Sequence, residues 1–189
     1  MPRVFDPRVR GDMAVEAVCS VILNGGLPAL SVRAVAGEIG MSASSLMYQF
    51  TDRARLLRVV ALKVGHARLN FIGHAARYDG LLAFIPDREE QVINARVWLA
   101  FVELGRSDAG LGPSIASLRR QERELLEYLV DDELDGAGLD ALGGVVDGLV
   151  AAMFAPEDPL PTDRAKAALA GYLRAVGLPA EAPPFTSAS

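Results

Sequence analysis

Four polar residues that can form hydrogen bonds share one side of a short predicted helix. Ser44 and Tyr48 are four residues apart, and so are Ser45 and Gln49, which places all four on one helical face. Hydroxyl and amide groups on such a face can hold phosphate oxygens and read the edges of bases. Arginines flank this helix in the sequence: Arg33, Arg53, Arg55 and Arg58. The pattern predicts a surface that binds nucleic acid.

The helix with this polar face is the second of two closely spaced predicted helices. Ser31 can cap the first helix and Gly40 ends it, because glycine tolerates the left-handed backbone found at helix ends. Ser42 caps the second helix, in which Leu46 and Phe50 face inward. Two short amphipathic helices joined by a turn with glycine are typical of a helix-turn-helix.

Helical periodicity continues through almost the whole chain, and no segment of useful length has the period of a strand. The sequence predicts an all-α protein: an N-terminal three-helix helix-turn-helix bundle followed by a C-terminal helical domain. We place further helices at about 52–77, 87–105, 115–130, 140–154 and 162–176, with a break at 131–138. On the last helix, the residues predicted to face inward are Ala165, Ala168, Leu169, Tyr172 and Val176.

Composition excludes several classes of protein. Of the 189 residues, 51% are hydrophobic and 23% are charged, which is the range of folded globular chains rather than disordered ones. Cys19 is the single cysteine, so an intramolecular disulfide and a cysteine-based metal site are excluded. No secretory signal or membrane-spanning segment is visible. We therefore expect a cytoplasmic protein without membrane contact, cofactor or metal.

The charge of the chain is unevenly distributed. The net charge is −5, but residues 1–63 contain eight basic and five acidic groups, a net of +3. Residues 64–189 contain eleven basic and nineteen acidic groups, a net of −8. This asymmetry favours nucleic-acid binding by the first segment, although small surface imbalances are also common in proteins that bind none.

From Leu30 to Leu57 the sequence resembles the DNA-binding signature of TetR/AcrR-type bacterial transcriptional repressors. The matching positions are Ser31, Val35-Ala36, Gly40-Met41-Ser42, Leu46-Met47-Tyr48-Gln49-Phe50, Asp52-Arg53 and Leu56-Leu57. The chain departs from the pattern at Ala43, usually lysine or arginine, and at Met47, usually tyrosine. About residues 96–176 more loosely resemble BetI-like members, through Trp98–Phe101 and Val146–Leu149.

The resemblance implies a repressor that binds double-stranded operator DNA and is released by a small ligand. It implies a DNA-binding domain at 1–63, a regulatory and dimerisation domain at 64–178, and a flexible tail at 179–189. The DNA-contacting positions expected from the motif and from the polar face are Arg33, Ser42, Ala43, Ser44, Ser45, Tyr48, Gln49 and Arg53.

A second expected site is an apolar pocket for a small hydrophobic ligand. The predicted helix at 87–105 is apolar on all sides at its centre, which includes Trp98 and Phe101. The predicted lining residues are Phe71, His74, Trp98, Phe101 and Met153. Trp98 and Phe101 could equally be ordinary core residues, and His74 an ordinary helix residue.

A third expected site is a homodimer interface formed by the last two helices. Small residues occupy one side of the helix at 140–154, and glycine there destabilises a helix by about 1 kcal/mol relative to alanine unless close packing compensates. The predicted interface residues are Gly144, Gly148, Ala151, Ala152, Ala165 and Leu169. The alternative is that these residues pack within one chain.

The lack of a basic group at Ala43 supports an alternative hypothesis. In this alternative, the chain is a helical protein that binds a small molecule or partner, and its helix-turn-helix segment has no DNA-binding function.

An enzyme has no supporting motif, since Gly-x-Ser-x-Gly, His-Glu-x-x-His and a phosphate-binding glycine loop are absent from the sequence. Arg96, Glu103 and His74 provide only a weak titratable cluster. We expect a protein that is not an enzyme.

Overall fold

A computed structural model of the chain describes the backbone of residues 7–179 and the side chains of residues 11–179. Within this range the chain is all-α, as predicted, and contains no strand. The α-helices are α1 (Pro7–Ala29), α2 (Val32–Ile39), α3 (Ala43–Phe50), α4 (Arg53–Asp79), α5 (Glu89–Ser107), α6 (Gly112–Val130), α7 (Gly136–Ala152) and α8 (Thr162–Ala175), with a 3-10 helix at Gly80–Phe84. Of the predicted flexible tail, residues 180–189 lie outside the described residues.

The described chain divides into two compact units. The first unit contains residues up to 67 together with 96–118, and the second contains 68–95 together with 119 onward. Helices α4, α5 and α6 each contribute to both units. The predicted boundary after residue 63 divided the chain into two consecutive segments, whereas each observed unit combines two separate stretches of sequence. The roles given to the two predicted domains, DNA binding for one and regulation and dimerisation for the other, stay predictions.

The first unit is built on an apolar stripe along α1. Ala14 and Val18 are fully buried, and α1 packs against α2, which in turn packs against α3. Gly26 has φ 66° and ψ −173°, so the regular helix kinks there. Pro28 follows within the last turn. The stripe fixes α2 and α3, the two helices of the helix-turn-helix, against a buried core.

Helices α4 and α6 approach each other closely in the first unit. A β-carbon placed on Gly65 would lie 2.5 Å from Leu118 Cδ1, which is shorter than any real contact. Leu118 is buried, as are Trp98 and Phe101 of α5. An alanine at 65 would force the buried Leu118 side chain to shift, so the packing of α4 against α6 favours glycine there.

The second unit has α8 packed against α7 and against the 3-10 helix. The prediction of a break through residue 138 was wrong, because Asp135 caps α7 earlier by accepting a 2.7 Å hydrogen bond from the Gly138 N–H. The inward stripe of α8 also needs correction. It consists of Ala165, Leu169 and Leu173 at successive turns, whereas Ala168 and Val176 are exposed and Tyr172 is only half-buried. Among the described helices none is long and apolar enough to cross a bilayer.

Candidate nucleic-acid interface

The turn between α2 and α3 is closed by backbone hydrogen bonds at Gly40. Its φ of 75° and ψ of 32° lie in the left-handed region. The Gly40 N–H donates to the Gly37 carbonyl at 3.1 Å, and the Met41 N–H donates to the Ala36 carbonyl at 2.9 Å. This pair of bonds is a Schellman motif, which satisfies carbonyls at the end of α2 and fixes the direction in which α3 leaves.

Both helices begin with the serine caps that the sequence predicts. Ser31 Oγ accepts from the Ala34 N–H at 3.1 Å, and Ser42 Oγ accepts from the Ser45 N–H at 3.1 Å. On α3, Leu46 and Phe50 are buried. One face of α3 is therefore anchored in the core, and the opposite face is left to solvent.

That solvent face contains the predicted polar residues. Tyr48 is 92% exposed, Ser44 and Ser45 are exposed, and Gln49 is half-buried. The hydroxyl of Ser42 lies 3.0 Å from that of Ser44 and 2.8 Å from that of Ser45. The structure thus brings three serine hydroxyls together at the start of α3, one turn from the phenol of Tyr48. Ala43, the departure from the motif, is half-buried and offers no polar group.

Basic side chains lie before and after α3 in the same unit. Arg33 is exposed on α2. Arg53 is the first residue of α4, and its Nη1 lies 3.9 Å from Asp108 Oδ2. Asp52 caps α4, since its Oδ1 accepts a 2.7 Å hydrogen bond from the Arg55 N–H. Asp108 was missed from the sequence, because no local pattern places a loop residue after α5 beside the start of α4.

The chain is similar in sequence to two bacterial transcriptional regulators. It is 28% identical over 183 residues to the HTH-type transcriptional regulator PksA of Bacillus subtilis, a match that spans 87% of each chain. It is 28% identical over 169 residues to the HTH-type transcriptional regulator BetI of Vibrio campbellii, covering 79% of this chain and 82% of BetI. No protein-family profile matches the sequence.

The fold agrees with these relatives. A TetR-family transcriptional regulator from Rhodococcus sp. superposes with a TM-score of 0.71 at 22% identity, over 88% of this chain and 97% of that one. The chain is thus similar to HTH-type transcriptional regulators in sequence and to a TetR-family regulator in fold. The relatives are regulators rather than enzymes, which agrees with the lack of a catalytic motif in the sequence.

A further solved structure with the same fold is that of the multidrug binding protein EbrR complexed with ethidium. It superposes with a TM-score of 0.60 at 19% identity, over 86% of this chain and 97% of EbrR. At this identity the likeness establishes a shared fold.

The residues predicted to line a ligand pocket lie in both units of the chain. Trp98 and Phe101 are buried in the first unit, and Met153 is buried in the second. His74 is exposed, and its ring meets that of Tyr78 edge-on with centroids 6.3 Å apart.

Phe71 borders a small cavity of about 10 Å³ in the second unit, which has room for about one water. The cavity is lined by Arg68, Phe71, Ile72, Ala83, Phe84, Pro86, Gln91 and Asn94. Of the five residues predicted to line a pocket, Phe71 alone borders it.

The residues predicted at a dimer interface are split between surface and core. Gly144, Gly148 and Ala151 are exposed on α7, and Ala152 is half-buried. Ala165 and Leu169 of α8 are fully buried within their own chain. These two residues therefore present no surface to a second chain.

An ionic network in the second unit was not predicted from the sequence. Arg68 donates to Glu122, and Arg119 donates to Asp147 with Nη1 and Oδ1 2.7 Å apart. The hydrogen bond from Arg119 to Asp147 raises the pKa of the Arg119 guanidinium. Burial acts in the opposite direction but does not cancel this increase. No group of three His, Cys, Asp or Glu side chains that could hold a metal ion occurs among residues 11–179.

Proposed function

We propose that the chain is a TetR-type transcriptional regulator that binds double-stranded operator DNA through the exposed face of α3, as a homodimer. It acts in the cytoplasm as a repressor released by a small apolar ligand. The observation that carries the proposal is the two-sided character of α3. Leu46 is fully buried while Tyr48, two residues later, is 92% exposed. A rigid helix with an open polar side can enter the major groove, which is about 12 Å wide.

The polar residues then divide into those that position the protein and those that read sequence. Arg33 and Arg53 are suited to phosphate oxygens, as is the phenol of Tyr48, and such contacts fix the register of the protein on the duplex. Gln49 can form two hydrogen bonds to an adenine edge, which makes it the candidate for base recognition. Ser44 and Ser45 can serve either role.

A homodimer is supported by the exposed face of α7. One exposed residue of this face is charged, Asp140, which pairs with Arg123. The other exposed residues are small and uncharged: Gly136, Ala137, Ala141, Gly144, Gly148 and Ala151. A β-carbon on Gly144 or Gly148 would meet no atom within 4 Å in the same chain, so neither glycine is required by packing inside the monomer. A second chain packed there would account for them, and twofold symmetry would place two α3 helices for a near-palindromic operator.

Release by a small hydrophobic ligand is the remaining part of the proposal. EbrR, a multidrug binding protein of the same fold, supports it. The cavity beside Phe71 is too small for such a ligand, so binding requires side chains in the helical core to move. A ligand changes operator affinity only by as much as it prefers one of the two conformations.

Enrichment of bound duplexes from a random pool tests the proposed function. The purified full chain is expected to select a near-palindromic sequence with half-sites about 34–36 Å apart at moderate salt. A chain that selects no sequence after repeated rounds would favour the alternative, a helical ligand- or partner-binding protein whose DNA head has no function. Ala43, which lacks the basic group usual at that position, is the observation behind this alternative.

A further inference from the structure

The loop between α5 and α6 holds a carboxylate in a fixed position. Asp108 Oδ1 accepts hydrogen bonds from the N–H groups of Gly110 at 2.9 Å and Leu111 at 3.1 Å. The Asp108 carbonyl also accepts from the Gly112 N–H, at 2.9 Å. One carboxylate oxygen is thus held by the backbone of its own loop, which fixes the position of the other, Oδ2.

The second oxygen, Oδ2, lies beside an arginine at the candidate DNA surface. Asp108 Oδ2 lies 3.9 Å from Nη1 of Arg53, and the two side chains are 22% and 46% exposed. The same loop lies beside α4, since a β-carbon on Gly110 would be 3.8 Å from Ala54 Cβ and 4.0 Å from Arg58 Nη2. Arg53 is therefore both accessible to an incoming phosphate and already paired within its own compact unit.

The geometry points to Asp108 as a residue that competes with operator phosphate for the Arg53 guanidinium and so weakens DNA binding. The inference rests on the proposed function. When Arg53 binds a phosphate, the negative charge of Asp108 loses its partner. Asp108 then attracts a cation from solution, and this uptake offsets part of the counterion release that drives DNA binding. An exposed ion pair of this kind contributes up to about 1 kcal/mol, so the effect on affinity is modest.

Asp108→Asn is the substitution that isolates the charge. The asparagine Oδ1 can keep both hydrogen bonds to the loop, so the fold is retained, and an unchanged urea unfolding midpoint would verify this. Binding of the full chain to its enriched duplex is expected to become about two- to fivefold tighter. The slope of log affinity against log salt is expected to steepen by up to about 0.9.

Glu103→Gln is the matched control. Glu103 lies on α5 in the same compact unit and pairs with Arg106 rather than with Arg53, and its substitution changes the net charge by the same amount. It is expected to leave affinity within about 1.5-fold of wild type. An equal gain in this variant would mean that overall charge, not competition at Arg53, is responsible, and would overturn the inference.

A double-mutant cycle with Arg53→Ala decides whether Asp108 acts through Arg53. In the Arg53→Ala background, Asp108→Asn is expected to change affinity by less than about 1.5-fold. A gain that persists there, or an Asp108→Asn variant no tighter than wild type, would overturn the inference while leaving the proposed function intact. A wild-type chain that binds no duplex at low salt would overturn both.

Discussion

Arg68 and Glu122 form a buried ion pair in which one carboxylate oxygen receives two hydrogen bonds. Glu122 Oε1 lies 3.0 Å from Nε and 2.7 Å from Nη2 of Arg68, and both side chains are buried. The other oxygen, Oε2, is 3.4 Å from Nη1 of Arg119. Two charges that are separated by 54 residues in sequence thus stabilise each other inside the second unit.

Glu122→Ala is expected to lower the free energy of unfolding by about 3–5 kcal/mol, because it leaves the Arg68 charge buried without its partner. Urea unfolding followed by circular dichroism measures the effect. Glu124→Ala on the exposed side of α6 is the control and should cost less than about 0.5 kcal/mol. A Glu122→Ala variant as stable as this control would show that Arg68 is solvated.

Two glycines on α4 allow the effect of packing on stability to be distinguished from the effect of helix propensity. Gly65→Ala is expected to destabilise the fold by about 1–2 kcal/mol, because the new β-carbon would lie 2.5 Å from the buried Leu118 side chain. Gly73→Ala meets no atom within 4 Å and is expected to stabilise by about 0.5–1 kcal/mol. Thermal unfolding of both variants tests this, and equal shifts of the same sign would contradict the close approach of α4 and α6.

The thiol of Cys19 should react slowly in the native protein. Burial, with a smaller contribution from the charge of Glu16, raises its pKa from 9.0 to about 11. At pH 8 the thiolate fraction then falls about 100-fold relative to the unfolded chain, so alkylation by iodoacetamide should slow by at least that factor. Mass spectrometry with and without urea provides the measurement, and equal rates in the two conditions would refute it.

The same shift predicts the alkaline pH dependence of stability. A group whose pKa is raised on folding binds its proton more tightly in the native state, so its contribution is complete below the unfolded value and is lost as pH rises through the native value. Stability of the wild type should therefore fall more between about pH 9 and pH 11 than that of Cys19→Ala. Parallel stability curves for the two proteins would rule out this assignment.

Much of the fold was predictable because its signals are local. The caps Ser31 and Ser42 and the turn at Gly40 each depend on neighbours within a few residues, and all three are confirmed. The start of α7 was misplaced because Gly136 and Gly138 suggest a loop, whereas Asp135 compensates by capping the helix. Pairs far apart in sequence, such as Arg53 with Asp108, leave no pattern in the sequence and become visible only in the fold.

The exposed face of α7 predicts that a large side chain placed on it will disrupt dimerisation. Gly148→Leu adds a side chain where the monomer has open space, so the fold should persist while the proposed dimer dissociates and operator binding is lost. Gly73→Leu, also at a helical glycine with open space around it, is the control and should stay dimeric. Light scattering that finds Gly148→Leu still dimeric would place the interface elsewhere.

Because some residues of the proposed DNA surface contact phosphates and others read bases, substitutions of the two kinds should have different effects. Arg33→Ala should weaken binding to every duplex by a similar factor, because a phosphate contact reads no sequence. Gln49→Ala should instead relax the preference at one base pair, with a loss of about 1–3 kcal/mol for the preferred base. Repeating the enrichment with each variant checks this, and an unchanged preference in Gln49→Ala would remove Gln49 from base recognition.

The salt dependence of binding to the enriched duplex, compared with a scrambled duplex of equal length, tests operator recognition by α3 most directly. Affinity for the enriched duplex should fall linearly with salt on logarithmic axes, with a slope of about −0.9 for each phosphate contacted, and should exceed affinity for the scrambled duplex by at least about 10³. Tyr48→Ala should reduce affinity for both duplexes. Equal affinity of the wild-type protein for the two duplexes, or no binding at low salt, would contradict the account.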